Sequence, residues 1–177
     1  MKVTLLGAGA WGTAMAAQAA RYLQPDDVCL WSRSVEQIEG MQQSGANTDY
    51  LPGVTLPKDL QLEVSFQRAI DRLSENDLLV IATPMSGLSE TVAQVLRLAK
   101  HSLNIVWLCK GLEPSTTLLP HQVVEREDQL HSHGIRHSYG ALSGPSFAQE
   151  VANGMPCALT VASQSNTLCD IVQGAFH

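Results

Sequence analysis

The chain has 177 residues, of which 45% are hydrophobic, 5% aromatic and 16% charged. This composition is typical of one soluble globular domain, and the shortage of aromatic residues favours helices packed on a sheet over an aromatic-rich β-sandwich. The formal net charge of −6 argues against a nucleic-acid partner, which would need a basic surface, and no apolar run approaches the roughly 20 residues of a membrane span.

Short apolar runs alternate with helical patterns along the whole chain. The predicted strands cover residues 3–6, 28–31, 62–64, 78–82, 105–109, 138–142 and 158–162. The predicted helices cover residues 10–22, 34–43, 66–73, 88–99, 118–130, 146–152 and a last stretch near 167–177. Residues 47–59 contain two prolines and Gly53, so they are predicted to form a loop.

This alternation predicts a parallel sheet that is covered by helices on both faces. The chain shows no internal repeat, low-complexity tract or linker. We therefore expect residues 1–177 to form one Rossmann-like α/β domain with a doubly wound, mostly parallel sheet.

A glycine-rich turn follows the first predicted strand and opens the first helix. Gly7-Ala8-Gly9-Ala10-Trp11-Gly12 matches the G-x-G-x-x-G pattern of dinucleotide-binding domains. In that pattern Gly7 permits a tight turn, Gly9 lets a pyrophosphate approach the backbone, and Gly12 lets the helix pack closely on the strand. The alternative is a glycine-rich turn that binds nothing.

The end of the second predicted strand bears on the choice of dinucleotide. NAD-specific domains place an acidic residue there to bind the ribose 2′-hydroxyl, but this chain reads Leu30-Trp31-Ser32-Arg33-Ser34. Arg33 is suited to a 2′-phosphate, with Ser32 and Ser34 as further donors. The sequence favours NADP(H), with NAD(H) as a second cofactor, although Arg33 is also explained as an ordinary surface arginine.

Three segments lie where predicted strands end, which is where ligands bind in doubly wound sheets. Pro84 terminates one strand close to the dinucleotide, either as a contact or as a plain terminator. Lys110 ends another, where it would meet a substrate oxyanion or phosphate as a point charge or remain a solvated loop lysine. Ser143–Ser146 turns a strand into a helix that is predicted to start at Pro145 and Ser146, with Glu150 in its first turn, and this turn serves either ligand binding or simple capping.

The histidines and cysteines give no metal or disulfide pattern. His131, His133 and His137 are expected to form a solvated loop cluster, because neither their spacing nor a neighbouring carboxylate or thiol completes a metal site. The four cysteines are widely spaced and are expected to be reduced thiols within the core. Together with the glycines that interrupt the N-terminal apolar run, this predicts a cytoplasmic location.

Four motifs, taken together and in chain order, resemble those of one family. They are Gly7–Ala14, the loop Asn47–Gly53, Cys109-Lys110-Gly111 and Ser143–Ala148. The chain resembles, over essentially its whole length, the N-terminal part of bacterial NAD(P)-dependent glycerol-3-phosphate dehydrogenases. The resemblance implies reversible hydride transfer between NAD(P)H and dihydroxyacetone phosphate, giving sn-glycerol 3-phosphate for phospholipid synthesis.

The resemblance also implies roles for individual residues. Trp11, Arg33 and Ala148 match dinucleotide contacts of the family, in addition to the glycine turn and Pro84. Lys110 matches a lysine that touches both cofactor and substrate, and Gly144 and Ser146 match substrate contacts.

In this family the proton-donating lysine lies in a helical C-terminal domain, for which this chain has no counterpart. The resemblance implies that this domain completes the phosphate pocket and a homodimer contact, so the 177-residue chain is expected to bind dinucleotide without turnover. Two alternatives remain open: a non-catalytic NADP(H)-sensing module, or another two-domain dehydrogenase acting on 6-phosphogluconate, 3-hydroxyacyl-CoA or ketopantoate.

Overall fold

The computed structural model describes residues 1–176, so His177, at the end of the last predicted helix, lies outside the described residues. The strands are β1 Val3–Leu6, β2 Val28–Trp31, β3 Gln61–Glu63, β4 Leu78–Ile81, β5 Asn104–Trp107, β6 Ser138–Ser143 and β7 Thr160–Ser163. The helices are α1 Ala10–Ala19, α2 Val35–Ser44, α3 Phe66–Asp71, α4 Leu88–Leu98, α5 Pro120–His131, α6 Ala148–Ala152 and α7 Asn166–Phe176.

The seven strands form one sheet in the order β3-β2-β1-β4-β5-β6-β7. Strands β1 to β6 are parallel, and β7 pairs with β6 in the antiparallel direction. The predicted Rossmann-like, mostly parallel sheet is therefore confirmed. The chain winds outwards from β1 to β3, then returns to place β4 on the other side of β1, so the winding direction reverses between β1 and β4.

The central strands are buried on both faces, which explains their continuous apolar sequences. Alternate residues of β4 enter different core clusters: Leu78 and Val80 pack with α1, α2, α6 and α7, whereas Leu79 and Ile81 pack with α3, α4 and α5. Two local features fix the ends of helix α2. At its start the Ser34 side chain accepts a hydrogen bond from the Gln37 N–H, and at its end Gly45 adopts φ +67°.

Two predicted boundaries near the site are wrong. Strand β5 ends at Trp107, because the chain leaves the sheet before the apolar residues Leu108 and Cys109. Helix α6 begins at Ala148 and not at Pro145 or Ser146, since Phe147 still has extended backbone angles. Glu150 lies in the first turn of α6, as predicted, and accepts a hydrogen bond from the Phe147 N–H at 3.4 Å.

Candidate functional site

The carboxyl ends of five parallel strands bring the predicted site residues to one edge of the sheet. The glycine turn follows β1, Arg33 follows β2, Pro84 follows β4, Lys110 follows β5, and Gly144 and Ser146 follow β6. The glycine turn and Pro84 flank the reversal point between β1 and β4, where open α/β sheets form their ligand crevice. Arg33 lies on one side of that crevice, and Lys110, Gly144 and Ser146 lie on the other.

The glycine turn is tightly packed at its two ends and open in its middle. A Cβ atom on Gly12 would lie 1.8 Å from the Gly7 carbonyl oxygen, and Gly7 itself has φ +122°. A Cβ on Gly9 would meet no protein atom within 4 Å, and the backbone of Gly9 is extended at φ −74°. The protein therefore does not require a glycine at position 9 for its own packing, and the open space in front of Gly9 fits the close approach of a ligand.

The same turn also carries backbone donors. Within the described residues the N–H groups of Gly9, Ala10 and Trp11, at the start of α1, donate to no protein acceptor. The first turn of α1 contains no acidic side chain. Free N–H groups and the positive end of the helix dipole together suit an anionic group, so the residues present fit the pyrophosphate of a dinucleotide.

Two side-chain amides that the sequence analysis missed hold the Ala8 carbonyl oxygen. Gln37 Nε2 donates to it at 2.7 Å from α2, and Asn47 Nδ2 donates to it at 2.9 Å from the loop after α2. Asn47 is only 2% exposed and also donates to Thr13 Oγ1 at 2.7 Å. Asn47 belongs to the loop motif Asn47–Gly53, but nothing in the spacing indicates that its partner is the glycine turn.

At the end of β2, Arg33 and its neighbouring serines differ in whether their side chains already have partners within the protein. Arg33 is exposed and forms no ion pair within the described residues, so its guanidinium is available to a ligand. Ser32 is 5% exposed and donates to Gln37 Oε1 at 2.6 Å, and Ser34 donates to Glu36 at 2.8 Å while capping α2. Helix α2 thus already uses the hydroxyl groups of both serines, and their role as further donors for a 2′-phosphate stays a prediction.

On the other side of the crevice, Trp11, Lys110 and Gly144 line one small cavity, of about 30 Å³. Leu108, Leu142 and Leu159 supply much of its apolar wall. Gly144 fits tightly here, since a Cβ on it would lie 2.2 Å from the Ala158 carbonyl oxygen. The structure thus brings together one residue of the glycine turn and two of the predicted substrate contacts.

Lys110 is exposed and lies three residues beyond β5, so it does not end the strand as predicted. Its neighbour Cys109 is half-buried, and this burial raises the pKa of the Cys109 thiol to about 11. The thiol therefore stays protonated at neutral pH.

A buried ion-pair cluster anchors the loop that carries Lys110. Glu113 is 6% exposed and accepts two hydrogen bonds from Arg126 of α5, at 2.9 and 3.1 Å. Arg126 also binds Glu127 at 2.7 Å and Ser89 Oγ at 3.0 Å, which links the loop to α4. The hydrogen bonds from Arg126 hold the pKa of the Glu113 carboxyl below its ordinary value.

The remaining predicted contacts lie at the rim of the same edge. Pro84 is exposed, and its carbonyl oxygen accepts the Gly87 N–H at 2.9 Å in a short 3₁₀ turn. Ser146 Oγ donates to the Ala158 carbonyl oxygen at 3.3 Å, which ties the β6–α6 turn to the segment before β7. Ala148 begins α6 and packs against the core on the α1 side.

The histidines do not form a solvated loop cluster. His131 lies in α5, within 3.1 Å of Arg97 Nη2, whereas His133 is exposed. His137 is half-buried: its Nδ1 accepts the Leu103 N–H at 3.2 Å, and its Nε2 is buried without a partner within the described residues. The pattern was misleading because the residues around His137 are polar, although His137 itself is half-buried directly before β6.

All four cysteines are free thiols, but they are not all core residues, since Cys157 is exposed. Among residues 1–176 no group of three or more histidine, cysteine, aspartate or glutamate side chains is arranged to hold a metal ion. None of the helices in that range is long and apolar enough to cross a membrane.

Comparison with known proteins identifies one family consistently. Residues 2–169 match the family model described as NAD-dependent glycerol-3-phosphate dehydrogenase N-terminus. A glycerol-3-phosphate dehydrogenase [NAD(P)+] of Polynucleobacter necessarius is 73% identical over 177 residues, which is 100% of this chain and 52% of the relative. The corresponding protein of Cupriavidus metallidurans is 47% identical over 182 residues, covering 100% of this chain and 53% of the relative.

A solved structure agrees with these relatives. The crystal structure of glycerol-3-phosphate dehydrogenase from Coxiella burnetii superposes with a TM-score of 0.84 at 28% identity, covering 99% of this chain and 50% of that one. The chain thus spans about half the length of the curated relatives that it matches.

Proposed function

The chain belongs to the NAD-dependent glycerol-3-phosphate dehydrogenase family, of which it matches the N-terminal part, and we propose that residues 1–177 form its single dinucleotide-binding domain. In the full-length protein this domain serves the interconversion of dihydroxyacetone phosphate and sn-glycerol 3-phosphate with NAD(P)H, for glycerophospholipid synthesis. The observation that carries the proposal is the cavity shared by Trp11, Lys110 and Gly144, because it joins the glycine turn to an exposed lysine beside the crevice.

The proposed mechanism depends on the negative charge that develops on the ketone oxygen. The nicotinamide, when bound, supplies the hydride for the ketone carbon. Lys110 offsets the negative charge that develops on the ketone oxygen, and its place in one cavity with Trp11 supports a contact with both cofactor and substrate. The backbone at Gly144 and the Ser146 hydroxyl orient the substrate, and Ala148 and Pro84 border the dinucleotide. The acid that protonates the new alkoxide is a lysine in the C-terminal half of the full-length protein.

The first experiment measures loss of NADPH absorbance when dihydroxyacetone phosphate is added to the full-length protein. We expect rapid oxidation, near-complete loss of it in Lys110→Met, and none in the 177-residue chain, although that chain still binds NADPH. Folded, NADPH-binding full-length protein that oxidises nothing would overturn the substrate assignment. That outcome would favour the NADP(H)-sensing module or a dehydrogenase for another substrate.

NADP(H) is the preferred cofactor in this proposal, with NAD(H) also accepted. The support is that Arg33 is exposed and forms no ion pair with any residue from 1 to 176, and that no acidic residue lies between Trp31 and Ser34. Binding constants for NADPH and NADH, measured by titration of wild type and Arg33→Ala, test this preference. We expect Arg33→Ala to weaken NADPH about tenfold or more and to change NADH by less than about twofold. An unchanged ratio of the two constants would contradict the preference.

The compartment, the lack of a nucleic-acid partner and the oligomeric state are also part of the proposal. Four free cysteines fit a reducing, cytoplasmic compartment, and the net charge of −6 does not suit nucleic-acid binding. A homodimer of the full-length protein, the state implied by the resemblance, is tested by sedimentation equilibrium.

A further inference from the structure

The loop motif Asn47–Gly53 has no role in the proposed mechanism, yet its first residue is buried against the glycine turn. Asn47 and Gln37 approach from different elements and donate to the same acceptor, the Ala8 carbonyl oxygen, at 2.9 and 2.7 Å. One carbonyl oxygen with two lone pairs is thereby fully engaged by two side-chain donors.

The orientation of this carbonyl determines the orientation of the next N–H group. The peptide bond between Ala8 and Gly9 is trans and planar, so the Gly9 N–H points away from the Ala8 oxygen. The two amides hold that oxygen on the side of α2 and the loop, and the Gly9 N–H donates to no protein acceptor in the described residues. The space around the Cβ position of Gly9 is free of other protein atoms to 4 Å.

We infer that Gln37 and Asn47 are positioning residues that aim the Gly9 N–H at the dinucleotide pyrophosphate. Each also makes one further contact, since Gln37 Oε1 accepts from Ser32 at 2.6 Å and Asn47 donates to Thr13 at 2.7 Å. The inference rests on the proposed dinucleotide binding, but not on the identity of the substrate.

Neutral substitutions of similar size test the inference without adding charge near an anion. Gln37→Met and Asn47→Leu each remove one donor, and the double variant removes both. Thr13→Val is the matched control: it removes the other hydrogen bond of Asn47 at an equally buried position and leaves the Ala8 carbonyl held. Dissociation constants of the 177-residue chain for NADPH and NADH are measured by calorimetry, with thermal melts to confirm folding.

Each single variant should weaken both dinucleotides about threefold to tenfold, and the double variant more than tenfold. Because the pyrophosphate is common to both cofactors, the factor should be the same for NADPH and NADH. Thr13→Val should lower the melting temperature but leave both constants within about twofold of wild type.

Three results would overturn the inference: a folded double variant with unchanged constants, a loss confined to NADPH, or an equal loss in Thr13→Val. The second would assign Gln37 to the 2′-phosphate side of the site. If the wild-type chain bound neither dinucleotide, the proposed function would fail and this inference with it. Unaffected variants of a binding-competent chain would overturn this inference alone.

Discussion

Gly9 and Gly12 lie three residues apart in one turn, but the structure constrains them differently. A Cβ at Gly12 would lie 1.8 Å from a backbone oxygen and 3.0 Å from the Ala82 Cβ, so α1 would have to move away from β1 and β4. We expect Gly12→Ala to lower the free energy of unfolding by roughly 2 kcal/mol or more. Gly9→Ala meets open space and should change it by less than about 1 kcal/mol. Equal destabilisation in urea melts would contradict the packing role of Gly12.

His137 makes stability depend on pH below neutrality. Burial lowers its pKa below the ordinary 6.5, more strongly than nearby Asp128 raises it, and His101 lowers it further. The unfolded chain therefore takes up the proton first, and stability is lost as the pH falls below about 6.5. Protonation would also remove the acceptor for the Leu103 N–H.

The comparison of His137→Gln with the exposed His121→Gln tests this pH dependence. Unfolding free energies between pH 7 and pH 5 should fall less steeply in His137→Gln than in wild type, whereas His121→Gln should follow wild type. Parallel curves for all three proteins would show that His137 does not titrate in this range.

At the scale of the secondary-structure elements, the stability of the loop between β5 and α5 depends on one residue, Arg126. Arg126 is 32% exposed but neutralises Glu113 and Glu127, whose side chains are each only 8% exposed. Arg126→Met would leave both carboxylates without this partner, so we expect a loss of about 2 kcal/mol at pH 7, allowing for the partial exposure of the arginine. Arg97→Met, which removes an exposed guanidinium from the neighbouring helix, is the control.

The pH dependence of this loss has a defined sign. The pKa of Glu113 is lowered below 4.5, so its stabilisation is complete above that pH and is lost as the pH falls through the folded-state pKa. The difference between wild type and Arg126→Met, measured by chemical denaturation, should therefore shrink below about pH 4.5. A constant difference down to pH 3 would contradict the ion-pair explanation.

The elements also show where sequence patterns were sufficient. Continuous apolar runs located β1, β2, β4 and β5, because strands buried on both faces carry no polar alternation. The same signal placed the end of β5 two residues too late, since Leu108 and Cys109 pack against the core after leaving the sheet. Asn47 and Gln37 could not be found in this way, because their shared acceptor is a backbone carbonyl 39 and 29 residues away.

At the scale of the whole molecule, the strand order divides the candidate site into two sides. Gly7–Gly12 lies in the middle, Arg33 lies towards β3, and Lys110 and Gly144 lie towards β7. A dinucleotide that lies across the reversal point would place its adenosine half near Arg33 and its nicotinamide half near Lys110. One extended ligand would therefore contact loops after at least four strands and stabilise the sheet as a unit.

That arrangement predicts a large thermal shift on ligand binding. NADPH at about 100 times its dissociation constant should stabilise the chain by about 2.7 kcal/mol, which raises the melting temperature by roughly 5–10 °C. Gly9→Asp is the control, because aspartate is a favourable helix N-cap and its Cβ would meet open space, but its carboxylate would lie near the pyrophosphate. We expect this variant to melt at or above the wild-type temperature without ligand and to show no shift with NADPH. A full shift in Gly9→Asp would mean that the dinucleotide binds away from the glycine turn.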